Sequence, residues 1–520
     1  MYVNCHYFAD TRTGQVQWGV RKDAPAPVSN EPPFGAVYAA QWNDALNAEI
    51  DARIEKYRKA DGEFPLQGPV TGRTVRIEQI DSEFKFGSNI FNFDQLGDAR
   101  QNAEYRAAFE KDGLFNAATV PFYWGWYEQE RGKPRYFAGE PENPDYWKGR
   151  GKGDPYWRRP AQEKVLDFCD ANGVSVHGHV LIYPAHHPAW VNAATNLEAR
   201  MALYEEHIAD VAARYRDRLD QWDIVNESVD RTCTPENVHD AMPWCNIPQP
   251  KDYTLRSFSA AARSFPSGVK LCINDAYTGP CDNGRYPAFI AKLLGQGAKI
   301  DVIGHQMHIF SEKDVVKVAK GDVAFPNGIS WRPKDQIAIL RQYDRFQKPI
   351  HVSEVTVPAP VKILPRAEAE ALQARVLRDN YRLWFSWPSV YRITYWNAVD
   401  SIGGEILESG FFRRDMSKKP AYDHEEWRTK TEALADAKGV VRFRGFKGKY
   451  RLSWTDTNGV ERVQFVTLAD RDTKFMTPSV EPPRKGAVAY FRKTLPASRR
   501  RIVRAELKVA PLGVFEAQVN

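Results

Sequence analysis

Trp222-Asp223-Ile224-Val225-Asn226-Glu227 is a β-favouring run that closes on an amide and a carboxylate. Trp, Ile and Val suit a pleated, buried surface, so residues 221–227 read as a short strand with Asn226 and Glu227 at its C-terminal end. Segments of the same kind recur at 84–90, 116–122, 175–181, 270–276, 302–308, 349–355 and 392–398. Helical patterns fill several of the intervals, at 160–172, 197–216 and 367–384, and Gly173 stands where the first of these needs a C-terminal glycine. A strand–helix alternation that repeats in this way predicts an α/β fold, a closed (β/α)8 TIM barrel. A doubly wound open sheet is the alternative, but it usually carries a glycine-rich phosphate turn near its first strand, and none is present.

The flanks read differently. The first forty residues are polar and proline-rich; a helix over 42–59 is predicted from Leu46, Ile50, Ile54 and Tyr57, and a strand over 74–80. After residue 428 the texture turns to short alternating strands at 439–446, 450–456, 460–468, 488–494 and 502–509, with Asn458-Gly459 as a hairpin turn. The expected organisation is an N-terminal extension over 1–83 that packs on the barrel, the barrel over 84–428, and a small β-sandwich over 429–520. Packing against the barrel is the expected role of that sandwich.

Composition narrows the function classes. The 520 residues are 43% hydrophobic and 27% charged, ordinary for a globular chain, and no apolar run reaches the length of a membrane span. A net charge of +6 is small for this length, and Arg499-Arg500-Arg501 reads as the solvated side of a strand, so no nucleic-acid partner is expected. None of the six cysteines forms a CxxC pair, which argues against structural zinc. Cys233 and Cys245 could bridge in an oxidising compartment; buried free thiols are an equal reading. Met1 to His6 lacks the charged and apolar regions of a signal peptide, and the localisation is left open.

The chemistry resides in paired carboxylates. Hydrolysis of a glycosidic bond needs one carboxyl group to protonate the departing oxygen, and in retaining enzymes a second to attack the sugar carbon, with the two about 5–5.5 Å apart. Glu227 ends one strand, and Glu354, in Ile350-His351-Val352-Ser353-Glu354-Val355, ends another. In a barrel both belong to the C-terminal mouth, together with His179 and His308. Asn226 is placed to hold a sugar hydroxyl, while Asp223 reads as a structural hydrogen-bonding group. His186 and His187 are adjacent and lack a carboxylate or Cys partner at ligand spacing, so no metal and no cofactor is expected.

These motifs bring the chain to a known family. Across about residues 42–427 it resembles glycoside hydrolase family ten, best known for endo-β-1,4-xylanases. Phe84-Lys85-Phe86-Gly87 is similar to the family's first strand, Gly178-His179-Val180-Leu181 to its third, and Trp222 to Glu227 to its acid/base motif. Gly304-His305-Gln306-Met307-His308 is similar to the sixth strand, Ser353-Glu354 to the nucleophile, and Tyr395-Trp396 to the aromatic eighth strand. The resemblance implies Glu227 as acid/base, Glu354 as nucleophile, and Asn226, His179, Gln306, His308 and Trp396 around the sugar. Departures from the family pattern also stand out. Pro121-Phe122-Tyr123-Trp124-Gly125-Trp126 replaces a polar sugar grip, Tyr183-Pro184 replaces a Trp-His pair, Thr356 replaces an Asp, and a loop Trp is missing at 401–405. Trp124 and Tyr183 therefore join the expected sugar-contacting residues. The expected function is a retaining β-glycoside hydrolase on xylan-like or other plant or algal β-glycans. Two other readings are an exo-acting glycosidase on short or decorated glycosides and a silent carbohydrate-binding barrel.

Overall fold

The computed structural model of the protein describes residues 35–96, 98–111, 113–136, 160–216, 218–229, 248–275, 284–321, 330–400, 408–422 and 427–470. The expected strands at 488–494 and 502–509, the Cys233–Cys245 pair and the loop at 401–405 lie outside the described residues. So does the arginine run from Arg499.

Eight parallel strands close into a barrel: β3 (Lys85–Asn89), β4 (Ala117–Pro121), β5 (Ser175–His179), β6 (Gln221–Asn226), β7 (Lys270–Asp275), β8 (Val302–His308), β9 (Ile350–Thr356) and β10 (Val390–Tyr395), with β10 returning to pair with β3. Every residue of β4, β6, β8 and β9 is buried. That follows from the architecture, because helices cover the outer face and side chains fill the interior. Close packing inside constrains single residues. A Cβ on Gly178 of β5 would sit 2.3 Å from the Trp222 ring of β6, so glycine is required beside that indole.

The covering helices show the periodicity that their sequences predicted. The helix Leu197–Tyr215 starts at Asn196, whose side chain accepts from the Ala199 N–H, and it buries Met201, Tyr204, Ile208 and Val211. The helix Gln162–Asn172 stops at Gly173, which takes the left-handed conformation at φ 67°. Ahead of the barrel, the helix Asp44–Tyr57 lies against the long helix Arg366–Ser386, where Arg53 Nε donates to Ser386 Oγ at 3.2 Å.

Among the described residues six strands lie outside the barrel, and the stretches before and after it both supply them. β1 (Lys59–Pro65) pairs antiparallel with β12 (Val440–Phe446). β2 (Thr74–Ser82) lies between β11 (Lys430–Leu434) and β13 (Gly448–Thr455), with β14 (Glu461–Leu468) beyond. The two sheets share one core of Phe64, Val75, Ile77, Phe443, Tyr450, Leu452, Trp454 and Leu468. The small β unit is thus not purely C-terminal. β2 carries Val75 and Ile77 inward and stands inside its sheet, so the stretch before the barrel provides a central strand. Among the described residues no helix is long and apolar enough to cross a membrane.

Candidate active site

All eight barrel strands run in one direction, so their C-terminal ends meet at one mouth. His179 ends β5, Asn226 ends β6, His308 ends β8, and Glu354 lies two residues before the end of β9. Glu227 is the first residue beyond β6. Its φ is 52°, a region that residues other than glycine seldom occupy, and its N–H donates to the Asn274 carbonyl at 2.8 Å. The Tyr183 hydroxyl donates to Glu227 Oε2 at 2.7 Å.

Glu354 is buried and held from several sides. Asn274 Nδ2 and Gln306 Nε2 donate to its Oε1 at 2.8 and 3.0 Å, and His308 Nε2 lies 3.2 Å from Oε2. The same two amides donate to Asn226 Oδ1, at 2.9 and 3.1 Å. Asn274 is itself oriented by Ser353, whose hydroxyl donates to Oδ1 at 2.5 Å. One network therefore joins β6, β7, β8 and β9. With its oxygen accepting from both amides, the donor group of the Asn226 side chain is its Nδ2–H. Burial alone would raise the Glu354 carboxyl, but the His308 hydrogen bond and the charges of His179 and His308 outweigh it, so its pKa lies below the usual carboxylate value.

Behind the mouth lies a buried polar layer. Asp223 Oδ2 is 2.7 Å from His179 Nδ1 and 2.9 Å from His177 Nε2. Burial pushes the Asp223 carboxyl up, but the two histidines more than offset it and bring the pKa down to about 2. The His179 Nδ1 position is thereby fixed by a carboxylate, which leaves Nε2 as the other hydrogen-bonding atom of the ring. His177, Asp223 and Cys272 bring three potential metal-ligand atoms within 4.8 Å of one another. Arg392, fully buried in the same layer, opposes the charging of His177 and favours that of Cys272, so a cation there would meet a fixed positive charge. Cys169 and Cys272 are both free and buried.

With this geometry in view, comparison with known proteins is decisive for the family. The sequence model of glycosyl hydrolase family 10 matches residues 141–426, more than half of the chain. The chain belongs to glycosyl hydrolase family 10. Endo-1,4-beta-xylanase B of Paenibacillus barcinonensis is 24% identical over 256 residues, which cover 46% of this chain and 70% of that one. Endo-1,4-beta-xylanase 3 of Hypocrea jecorina is 30% identical over 149 residues; these are 28% of this chain, which spans only 41% of that relative's length. The crystal structure of xylanase 10B from Thermotoga petrophila, in complex with xylobiose, superposes with a TM-score of 0.50 at 20% identity, over 65% of this chain and 92% of that one, and supports the barrel fold.

Within this family-10 barrel the aromatic run after β4 divides by face. Tyr123 and Trp126 join Phe91, Val180, Tyr183 and Trp396 in a cluster of their own at the mouth. Tyr123 sets its ring edge-on to His179, and Trp126 Nε1 donates to His186 Nδ1 at 3.0 Å. Trp396 lies edge-on to His179 and Phe91. Phe122 and Trp124 belong instead to the main core. Trp124 stacks on His207 with ring centroids 3.9 Å apart and donates to Glu128 Oε2 at 2.7 Å, so its indole is committed to the covering helix and is not brought to the mouth. His187 is likewise buried, against Tyr204.

The structure thus brings Asn226, Gln306, His308 and Glu354 into one hydrogen-bonded group, with Tyr183 on Glu227 and with His179 beside Trp396. Sequence reading passed over Asn274, although the amide at the end of Ile273-Asn274-Asp275 was a signal of the kind that Asn226 gave. It also passed over Asn89 at the end of β3, which donates through Nδ2 to Asn397 Oδ1. Thr356 was seen only as a departure; its hydroxyl donates to the Trp396 carbonyl at 2.7 Å and lies 2.8 Å from His308 Nδ1.

Proposed function

We propose that this family-10 chain is a retaining β-glycoside hydrolase acting on xylan-like or other β-linked glycans, with Glu354 as nucleophile and Glu227 as acid/base. The observation that carries the reading is the pair of amides, Asn274 and Gln306, that donate to both Glu354 and Asn226. They fix an ionised carboxylate next to the strand end from which Glu227 follows. A nucleophile must be charged and aimed; Glu354 accepts three hydrogen bonds and its pKa is held down. An acid/base must gain and lose a proton; Glu227 is only half-buried, and the Tyr183 hydroxyl donates to it. Glu227 protonates the leaving oxygen as Glu354 Oε attacks the anomeric carbon, and then deprotonates the water that releases the sugar.

The names of the relatives make β-1,4-xylan the first substrate to test. The mouth differs from a polar sugar grip, because Tyr123, Trp126 and Tyr183 offer aromatic surface. Sites that hydrogen-bond a hydroxyl reject analogues lacking it, whereas apolar surfaces discriminate weakly. Activity on unsubstituted linear xylo-oligosaccharides should therefore be lower than on glycosides with a bulkier sugar, a side chain or an apolar aglycone. Comparison of kcat/KM across such a panel, with the anomer of the first product read by NMR, tests both parts. Inverted product removes the mechanism; highest efficiency on the plain linear chain removes the substrate preference.

A further inference from the structure

Thr356 and Glu354 lie on the same face of β9, since side chains alternate along a strand. The threonine hydroxyl has one proton, and its geometry directs that proton to the Trp396 carbonyl oxygen. Its oxygen is then an acceptor towards His308 Nδ1. The other ring nitrogen, Nε2, faces Glu354 Oε2, which as a carboxylate oxygen only accepts. Two acceptors on opposite sides of one imidazole require a hydrogen on each nitrogen, and the ring is then an imidazolium. The hydroxyl also has a second solution. Rotated towards Nδ1, it donates to a neutral ring, and Nε2–H still points at Glu354. A carboxylate at 356 could only accept from Nδ1, and an alkyl group could do neither.

We propose that Thr356 is a positioning residue whose hydroxyl, as both donor and acceptor, keeps the His308 Nε2–H on Glu354 in either charge state of the ring. The inference rests on the reading of Glu354 as nucleophile only for its catalytic consequence; the proton placement stands on the hydrogen bonds. The groups that surround the ring agree with it. Glu354 faces it from β9, His179 from β5 acts on the same carboxylate with Asp223 of β6 behind it, the neighbouring amides of Asn274 and Gln306 are neutral, and Phe310 stacks on the ring at 4.7 Å.

The test uses the full chain labelled with nitrogen-15 in histidine, the His308 signals being assigned by their loss in His308→Gln. In the unaltered protein the Nε2 shift should remain that of a protonated nitrogen between about pH 5 and about pH 8. An Nε2 that loses its proton within that range overturns the proposal without any variant. In Thr356→Val the Nε2 shift should no longer stay that of a protonated nitrogen across this range, and kcat should fall about tenfold with KM little changed, as expected for one lost orienting hydrogen bond. Thr356→Ser should restore both the shift and the rate, and Thr356→Asp should hold the imidazolium across the range. A Thr356→Val spectrum and pH–rate profile identical to the unaltered protein also overturn it. If the proton placement holds but Glu354 proves not to be the nucleophile, the functional reading fails and the positioning role in the resting protein stands.

Discussion

Glu354 and Glu227 stand at strand ends of one barrel, on β9 and just after β6, under opposite conditions. Glu354 is enclosed by Asn274, Gln306 and His308 from two other strands, and the positive charge nearby keeps it ionised despite burial. Glu227 is half-buried, stands on a backbone in the left-handed region, and meets a phenol. A network that fixes charge and a setting that lets charge change are what a double displacement asks of its two carboxylates. The contrast also extends behind them. His179, held by Asp223, lends its charge to Glu354, whereas Tyr183 of the aromatic cluster donates to Glu227.

The largest effect should come from Glu354. Glu354→Ala should reduce turnover to background on every substrate, activated or not, because no attacking oxygen remains; measurable turnover with retained configuration would break the contrast. Glu227→Ala should lower kcat by about 10²–10⁴-fold on substrates with poor leaving groups and far less on activated aryl glycosides. Azide should rescue this second variant and give a product of retained configuration. Rescue of the Glu354 variant with inverted product, and none of the Glu227 variant, is compatible with Glu354 as nucleophile; retained azide product from the Glu354 variant would exchange the two roles.

Smaller effects should distinguish the two supports. Asp223→Asn should cost about 1.5–3 kcal/mol at neutral pH, the range for a hydrogen bond to a charged group. The folded Asp223 pKa, about 2, is depressed from an unfolded value near 4, so its contribution is complete above about pH 4 and disappears as pH falls through about 2. Unfolding curves of the two proteins should converge over that window; a difference independent of pH would show that the ionised carboxylate is not what matters. His207, buried against Trp124, has its pKa lowered to about 3 by desolvation, partly opposed by the hydrogen bond its ring donates to the Leu181 backbone. Its stabilising effect is likewise present above about pH 6.5 and decays as pH falls towards about 3. His207→Phe, which retains an aromatic ring, should flatten the acid-side loss of Tm. Tyr183→Phe should give the smallest change, about ten- to a hundredfold in kcat/KM with little loss of stability, as one hydrogen bond to a carboxylate is removed at the mouth.

Much of the barrel was legible because its strands must be buried on both faces. Such strands read as short continuous runs, and the expected segment 302–308 coincides with Val302–His308. The helix expected over 197–216 is observed at Leu197–Tyr215 for the complementary reason, an apolar stripe at helical spacing. The shared β unit was less legible. β2 alternates as expected, but the sequence around Val75 and Ile77 contains nothing that says its partners lie over 340 residues further on. The same limit applies to the mouth. Phe122, Tyr123, Trp124 and Trp126 look alike in sequence, and only the turn after β4 decides that Tyr123 faces His179 while Trp124 stacks on His207. Asn274 and Thr356 matter through strand register, which sets an amide beside Glu354 and a hydroxyl beside His308, and register between distant strands has no local signal.

The central claim is that Glu354 attacks the sugar, and a covalent trap tests it most directly. The full chain is treated with an activated, fluorinated β-xylobioside whose glycosyl-enzyme forms quickly and hydrolyses slowly, and the labelled peptide is sequenced by mass spectrometry. The account predicts one xylobiosyl group per chain, esterified to Glu354, on a protein that regains activity as the ester turns over. A stable label on Glu227 or on any other residue would contradict it.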